Sequence, residues 1–320
     1  MGFLDTLRSH GIDFHRSVSD SNEITICCPF CEFRGQQTPD TRFRLGINIY
    51  NRKGHCFNCG WSSHDNAIKE VSEILQMAYD EALPEEGGVK AQEPEKPALP
   101  DDFVPLAKRP RGPLYQRAEQ YVRSRGIKDW QIQGKNIGVS FVGKYAYRII
   151  FPVYTYRDGH RGRRLEGLVT RDFTGQQEPP YLNTAGMKSL YNIPSDIRYK
   201  KAVLCEGVFD CLAIEHVINQ DYAVMAVLGR SLTDKQEQQL KYVRDIILWP
   251  DSDLAGIKGF LEIGNQLRSH HNVFIVPPYG EGKDANAMDL ADRKYAWVSR
   301  TKFTEAMELR LKAEVVFRDE

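Results

Sequence analysis

The chain has 320 residues, with 43 lysines and arginines against 43 aspartates and glutamates, so its formal net charge is zero. This length allows two or three domains, and 41% hydrophobic with 27% charged residues is typical of a globular protein. The charge balance excludes a strongly basic coat protein and an acidic disordered one, but a zero total can hide segregated charge. No apolar run approaches the ~18–20 residues that span a bilayer, and no secretory signal is recognisable, so we expect no membrane insertion.

The cysteines indicate a metal site near the N-terminus. There are seven, an odd number, which argues against a disulfide framework and favours the reducing cytoplasm. Four of them form two CxxC pairs that are separated by 24 residues: Cys28, Cys31, Cys56 and Cys59. Four thiolates make a tetrahedral Zn²⁺ site with no open position for water, so the sequence predicts one structural zinc ion per chain.

Two other residues compete for this zinc site. Cys27 could replace Cys28 as the first ligand, but we prefer Cys28 because it leaves two residues before Cys31, as in a CxxC pair. His55 could replace one of the cysteines as a ligand. Cations and aromatic side chains are interleaved around the site, and they suit single-stranded nucleic acid because cations contact phosphate and rings stack on bases. An ordinary solvated face with a few core aromatics explains this segment equally well. The candidate contacts are Arg42, Arg44 and Trp61.

The first domain ends in a helix and a linker. A hairpin is predicted over residues 42–57, and apolar residues then repeat with helical spacing from Ala67 to Ala78, with Ser63 or Asp65 as the cap. Residues 82–113 hold seven of the 16 prolines and predict an extended linker. Charge is segregated here, because residues 81–107 carry a net −5 and residues 108–171 a net +11.

Beyond residue 200, short apolar strands alternate with helices. Such alternation indicates a parallel sheet with crossover helices, and ligands of such sheets bind at the carboxyl ends of strands. The alternating strands are 202–205, 222–228, 245–249 and 273–276, and the helices between them are 208–219, 233–243 and 254–268.

Other elements are predicted on either side of this region. A helix over 116–125 and a strand over 148–155 come before it, and a further helix over Lys302–Ala313 comes after it.

Carboxylates follow three of the alternating strands. Glu206 and Asp210 come after the first, Asp251 and Asp253 after the third, and Asp284 after the fourth. Carboxylate oxygens are the ligands that Mg²⁺ prefers, and such ions can activate a hydroxyl and stabilise a phosphoryl displacement. The sequence therefore predicts a Mg²⁺- or Mn²⁺-dependent phosphoryl-transfer site.

These motifs carry a resemblance to a known family. EGVFD, LGRSLT, WPDSDLAG and GKDAN, in this order between residues 206 and 286, resemble the Toprim module of primases and topoisomerases. YRIIFPVY followed by PYLNT is similar to the basic part of a DnaG-type primase core, and CPFC…HCFNCG is similar to the primase zinc domain. The resemblance covers most of residues 20–292 and fits a short, phage-like form without a fused helicase.

The resemblance implies a multi-domain α+β and α/β protein: a zinc ribbon (1–81), the linker (82–113), a basic subdomain of the RNA polymerase core (114–199), a Toprim subdomain (200–292) and a C-terminal helical tail (293–320). It also implies site residues. The implied catalytic residues are Glu206, Asp251 and Asp253. The implied Mg²⁺ ligands are the same three acids together with Asp210 and Asp284. The implied contacts with template or nucleotide are Arg148, Arg171 and Lys188. Three positions depart from the family pattern: Cys31 replaces a histidine, Pro180 a lysine and Asn286 an aspartate.

The implied function is that of a DNA primase, which makes RNA primers by Mg²⁺-dependent nucleotidyl transfer. Its partners would be single-stranded DNA template, ribonucleoside triphosphates and a separate replicative helicase, in the cytoplasm. A Toprim-type nuclease is one alternative, and it would degrade DNA with Mg²⁺ alone. A non-catalytic zinc/Toprim recombination mediator is another, and the nearly complete acid set counts against it.

Overall fold

The computed structural model describes residues 2–17, 22–34, 39–63, 65–78, 97–156, 162–195, 199–278 and 283–311. The chain divides into two compact units, Met1–Lys96 and Pro97–Glu320. Of the predicted linker, residues 82–96 lie outside the described residues, whereas 97–113 belong to the second unit. In the described part of the chain, no helix is long and apolar enough to cross a membrane.

The first unit is built on a five-stranded antiparallel sheet in the order β1-β2-β3-β4-β5. The predicted hairpin is confirmed, because β3 and β4 pair with Leu45 opposite Cys56 and Ile47 opposite Gly54. Buried side chains from the sheet and both helices form one core. The elements are α1 (Phe3–Ser9), β1 (Phe14–Arg16), β2 (Glu23–Ile26), β3 (Leu45–Asn48), β4 (Gly54–Cys56), β5 (Ser62–Ser63) and α2 (Ala67–Ile74).

The predicted amphipathic helix is present, with a different cap. Helix α2 buries Ala67, Ile68 and Val71 in the core. Its cap is Asn66, whose side chain accepts a hydrogen bond from the Lys69 backbone at 3.1 Å. The predicted cap Ser63 is buried in strand β5, where it pairs with Gly54 and is therefore committed to the sheet.

The second unit begins with a four-stranded antiparallel sheet in the order β6-β7-β8-β9. Strand β6 lies within the predicted linker, which corrects that prediction for its last part. Proline is tolerated in β6 because this strand lies at the edge of the sheet. The elements are β6 (Val104–Pro105), α3 (Pro113–Ser124), α4 (Asp129–Gly134), β7 (Gly138–Ser140), β8 (Arg148–Tyr156) and β9 (Arg163–Asp172).

The predicted parallel sheet is confirmed in the rest of the second unit. Its order is β11-β10-β12-β13-β14, with the first four strands parallel and β14 antiparallel to β13. The elements are β10 (Lys201–Cys205), α5 (Val208–Ile214), β11 (Tyr222–Ala226), α6 (Asp234–Leu240), β12 (Asp245–Leu248), α7 (Leu254–Leu267), β13 (Asn272–Ile275), α8 (Leu290–Val298) and β14 (Thr301–Lys302).

The strand order creates a switch point at the centre of this sheet. From β10 the chain moves outward to β11, and it then returns to the other side of β10 to form β12. The carboxyl ends of β10 and β12 therefore adjoin where the winding direction reverses, which is where such sheets bind ligands.

The end of the chain differs from the predicted helical tail. Helix α8 runs across the predicted boundary at residue 292. Lys302, the predicted start of the last helix, lies in strand β14 and pairs with Phe274. Phe303, the residue after this strand, is buried in the core of the second unit. The helix begins later, over residues 305–311, and the predicted end at Ala313 lies outside the described residues.

Candidate functional site

The four predicted zinc ligands lie together in the first unit. All four sulfur atoms, of Cys28, Cys31, Cys56 and Cys59, lie within 4.8 Å of one another. The Sγ–Sγ distance is 3.9 Å between Cys28 and Cys59 and 3.8 Å between Cys31 and Cys56. A tetrahedral zinc ion with Zn–S bonds of ~2.3 Å requires sulfur atoms about 3.8 Å apart. The arrangement therefore fits a tetrahedral zinc site, and it includes Cys28 rather than Cys27.

Neighbouring polar groups hold the cysteine loops in place. The buried Asp40 carboxylate accepts backbone N–H groups of Cys28 at 2.9 Å and Arg44 at 2.8 Å. Asn58 donates its side-chain amide to Cys31 Sγ at 3.3 Å, as expected for a group that supports a thiolate ligand. Burial raises the pKa of Cys28 and Cys31, so thiolates there need a cation to offset their desolvation.

The predicted nucleic-acid contacts around this site divide into two groups. Trp61 is only 6% exposed and stacks on Phe30 with the ring centres 4.1 Å apart. This ring belongs to the core, which argues against the prediction that it stacks on a base. Arg42 is exposed, and Arg44 is half-buried with its guanidinium bonded to the Asn58 side chain. Arg42 is therefore the freer of the two cations for contact with a phosphate.

The predicted acidic residues of the second unit follow adjacent strands. Glu206 directly follows β10, and Asp251 lies three residues beyond β12, the strand that pairs with β10. Asp210 is buried in the first turn of α5, and its carboxylate accepts the Asn286 backbone N–H at 3.0 Å. That contact connects the loop containing Asp284 to the other acids.

The pKa values show that these carboxylates share one electrostatic environment. Burial and the charges of Asp210 and Glu206 raise the pKa of Asp251 to about 8. Burial and the charge of Asp284 raise the pKa of Asp210 to about 7. Burial and the charge of Asp253 also raise the pKa of Glu206. A divalent cation would offset this repulsion, so the donor set fits Mg²⁺ or Mn²⁺.

The carboxylates are not packed as tightly as the cysteines. In the parts of the chain that the structure describes, only the four cysteines place three or more ligand atoms within 4.8 Å of one another. Magnesium needs just one or two protein carboxylates and keeps several waters, so wider spacing is compatible with it.

Asp253 and Gly256 shape the loop after β12. Asp253 caps helix α7, and its carboxylate accepts the Gly256 backbone N–H at 2.6 Å. A Cβ on Gly256 would lie 2.9 Å from both the Cβ and the carbonyl oxygen of Asp251, closer than real contacts allow. The close approach of this loop to the helix therefore requires glycine.

We expect Asp251→Asn to stabilise the second unit when no divalent cation is present. The folded protein holds a proton on Asp251 up to about pH 8, whereas the unfolded chain releases it near pH 4. The wild type therefore loses stability as pH rises between these values, by at most ~1.4 kcal/mol per pH unit for one such group. Thermal unfolding should show a higher Tm for the variant, by more at pH 8 than at pH 5.5.

The matched control is Asp101→Asn, which removes an exposed carboxylate of the same unit. It should leave the Tm unchanged at both pH values. Added Mg²⁺ should raise the Tm of the wild type more than that of Asp251→Asn. A destabilised Asp251→Asn variant would show that the acids are not in repulsion.

The predicted template contacts in the second unit differ in accessibility. Arg148 is 3% exposed, and its guanidinium donates to the carbonyls of Pro180 at 3.1 Å and Pro179 at 2.6 Å. This burial argues against direct contact with a phosphate, because the nitrogens already hold the loop after β9. Arg171 is half-buried over the ring of Tyr181, 4.6 Å from its centre, and Lys188 is exposed.

The sequence did not indicate several residues that complete the site. Arg125 lies 4.6 Å from the centre of the Phe209 ring, and together with Arg230 it opposes the rise in pKa of the acids. Asp40 and Asn58 support the cysteines. Arg125 directly follows helix α3, far from the acidic loops in sequence. No local pattern could have assigned it to them.

Comparisons with known proteins agree with this geometry. Residues 203–289 match a family model described as Toprim-like. The DNA primase of Campylobacter jejuni subsp. jejuni is 30% identical over 124 residues, which cover 37% of this chain and 20% of that protein. The DNA primase of Lactococcus lactis subsp. lactis is 25% identical over 298 residues, which cover 71% of this chain and 43% of that protein. The chain thus spans less than half the length of either relative.

Solved structures include a similar fold. A DNA primase domain from Pseudomonas aeruginosa superposes with a TM-score of 0.50 at 17% identity, over 62% of this chain and 76% of that one. At this identity the match shows a shared fold. Together with the sequence matches, it confirms the predicted resemblance to DnaG-type primases.

Proposed function

Because the chain is related to the DnaG-type primases, we propose that it is a DNA primase that synthesises RNA primers on single-stranded DNA. The observation that carries this proposal is the acidic cluster at the adjoining carboxyl ends of β10 and β12, within the Toprim-like segment. Its acids raise one another's pKa, as expected of groups gathered to hold a cation.

The acidic cluster would perform nucleotidyl transfer. Glu206, Asp210, Asp251, Asp253 and Asp284 would hold Mg²⁺ or Mn²⁺, which supplies positive charge to the phosphoryl group under attack. Glu206 would accept the proton from the ribose 3′-hydroxyl, for which its raised pKa suits it. The hydroxyl oxygen then bonds to the α-phosphorus of the incoming triphosphate, and pyrophosphate leaves.

The basic part of the chain would hold the polyanionic substrates. Residues 108–171 carry a net +11, which attracts single-stranded DNA and triphosphates. The exposed Lys188 and the half-buried Arg171 are the better candidates for phosphate contact, since the buried Arg148 is bonded to backbone carbonyls. Arg148 would act by shaping the loop beneath them.

The first unit would carry one structural Zn²⁺ and help to select the template. Its exposed Arg42 is suited to a phosphate contact. We place the protein in the cytoplasm, where a separate replicative helicase would load it onto DNA.

A priming assay tests this function. The full chain is incubated with single-stranded DNA templates of varied sequence, the four ribonucleoside triphosphates and Mg²⁺, and short RNA products are measured. We expect products that depend on both template and metal. Degradation of the DNA without triphosphates would instead indicate a nuclease, and binding without either reaction a recombination mediator.

A further inference from the structure

The loop after strand β13 carries one acid of the acidic cluster and is fixed at several points. Its described residues, 283–289, include Asp284, and the side chain of Ala285 is buried in the core of the second unit. The carbonyl of Lys283 accepts the backbone N–H of Ser252, in the loop after β12, at 3.3 Å. These contacts hold the loop beside the other acidic loops of the parallel sheet.

Asn286 connects this loop to two further elements. Its backbone N–H donates to the carboxylate of Asp210, in the first turn of α5, at 3.0 Å. Its side-chain amide donates to the backbone carbonyl of Arg125, directly after helix α3, at 2.9 Å. Helix α3 belongs to the segment with a net charge of +11. One residue therefore joins the basic segment, Asp210 and the loop of Asp284.

The bond to α3 requires a side chain that donates a hydrogen bond. A backbone carbonyl only accepts, so the atom of Asn286 that faces Arg125 is the amide nitrogen. The family resemblance implies an aspartate at this position, but an ionised carboxylate has no N–H to donate and would be repelled by the carbonyl oxygen. The amide is therefore used to hold the backbone after α3.

We propose that Asn286 is a positioning residue for the divalent cation of the acidic cluster and is not one of its ligands. It acts through Asp210 and through the loop of Asp284, which it fixes relative to α3. The acids are thereby held in register with the basic segment. This inference rests on the proposed function in one respect, namely that the acidic cluster binds Mg²⁺ or Mn²⁺.

Direct binding of Mn²⁺ to the full, zinc-loaded chain tests this role. Free Mn²⁺ is measured by electron paramagnetic resonance without template or triphosphates, so the result does not depend on primer synthesis. Glu206→Gln should weaken the binding, which assigns the bound Mn²⁺ to the acidic cluster. Asn286→Ala should raise the Kd for Mn²⁺ about two- to tenfold, the effect of losing one hydrogen bond. Asn286→Asp should bind Mn²⁺ no more tightly than the wild type, although it adds a negative charge.

The matched control is Asn272→Ala. Asn272 is exposed at the amino end of β13, and its side-chain amide donates to Asp245 at 2.9 Å, the same length as the bond from Asn286. This variant loses a similar bond at the opposite end of the same strand, so it should bind Mn²⁺ as the wild type does. Every binding curve is recorded below the Tm of the variant. Asn286→Asp keeps the side-chain volume and decides the question if the alanine variant does not fold.

Several results would overturn the proposal. Unchanged Mn²⁺ binding by Asn286→Ala, even with a lowered Tm, would show that the bond only supports the fold. Tighter binding by Asn286→Asp would make position 286 a ligand position. Equal weakening by Asn272→Ala, or no binding by the wild type, would also contradict it. If the variants behave as expected but the wild type makes no primers, the proposed function fails and the positioning role stands.

Discussion

Glu206→Gln should abolish primer synthesis while leaving the fold intact. The substitution keeps the size of the side chain but removes both the negative charge and the ability to accept a proton. Loss of a general base costs typically 10²–10⁴-fold in rate, so we expect at least a ~100-fold decrease in the rate of primer formation. Because burial and Asp253 already disfavour the charge on Glu206, glutamine should not lower the Tm.

The matched control for this prediction is Glu262→Gln. Glu262 is exposed on helix α7, directly after the loop that carries Asp251 and Asp253. It should keep full activity. Primer synthesis at the wild-type rate by Glu206→Gln, with the same metal and template, would refute the assignment of the acidic cluster as the catalytic site.

Removal of zinc should unfold the first unit and leave the second folded. Structural zinc in small domains contributes ~10–16 kcal/mol of apparent binding free energy, more than the core of a unit of this size can replace. Cys31→Ser removes a fully buried ligand and should abolish stoichiometric zinc binding. Metal analysis by native mass spectrometry measures the zinc. The tryptophan fluorescence of the chain should change as Trp61, the one tryptophan of the first unit, loses its contact with Phe30.

Cys27→Ser is the control for the zinc prediction. Cys27 directly precedes a ligand but does not belong to the four-sulfur group. This variant should retain one zinc ion per chain and native fluorescence. If Cys27→Ser lost the metal, or Cys31→Ser kept one equivalent with an intact fold, the ligand set would be wrong.

Local sequence patterns predicted the positions of the strands better than those of the helix ends. The apolar runs that became β10 to β13 are short and bounded by polar residues, so their extent is encoded locally. The helix predicted over 208–219 ends at Ile214, and the one over 233–243 spans Asp234–Leu240. Helix ends depend on which backbone groups find partners in the folded protein, and a local pattern does not contain that information.

The same distinction applies to the predicted contacts with nucleic acid. Residue type predicts a base contact for Trp61, since aromatic rings stack on bases, and the family resemblance predicts a phosphate contact for Arg148. In the structure Arg148 bonds to two carbonyls and Trp61 stacks in the core. Both side chains can serve either role, and only the packing around them decides which one they take.

The sequence by itself predicted the chemistry proposed for this protein: two CxxC pairs for one metal, and acids after three of the four apolar strands for another. Each CxxC pair is encoded by spacing, because its two cysteines are close in sequence, and each acid is marked by its position after an apolar strand. The tertiary structure alone decided which side of β10 each later strand joins and which arginines are accessible. It also brought Trp130, Tyr154 and Tyr191 together around one cavity. The strand order, the exposure of each arginine and the grouping of these side chains all depend on contacts between segments that are distant in sequence. Such contacts form only when the whole chain folds.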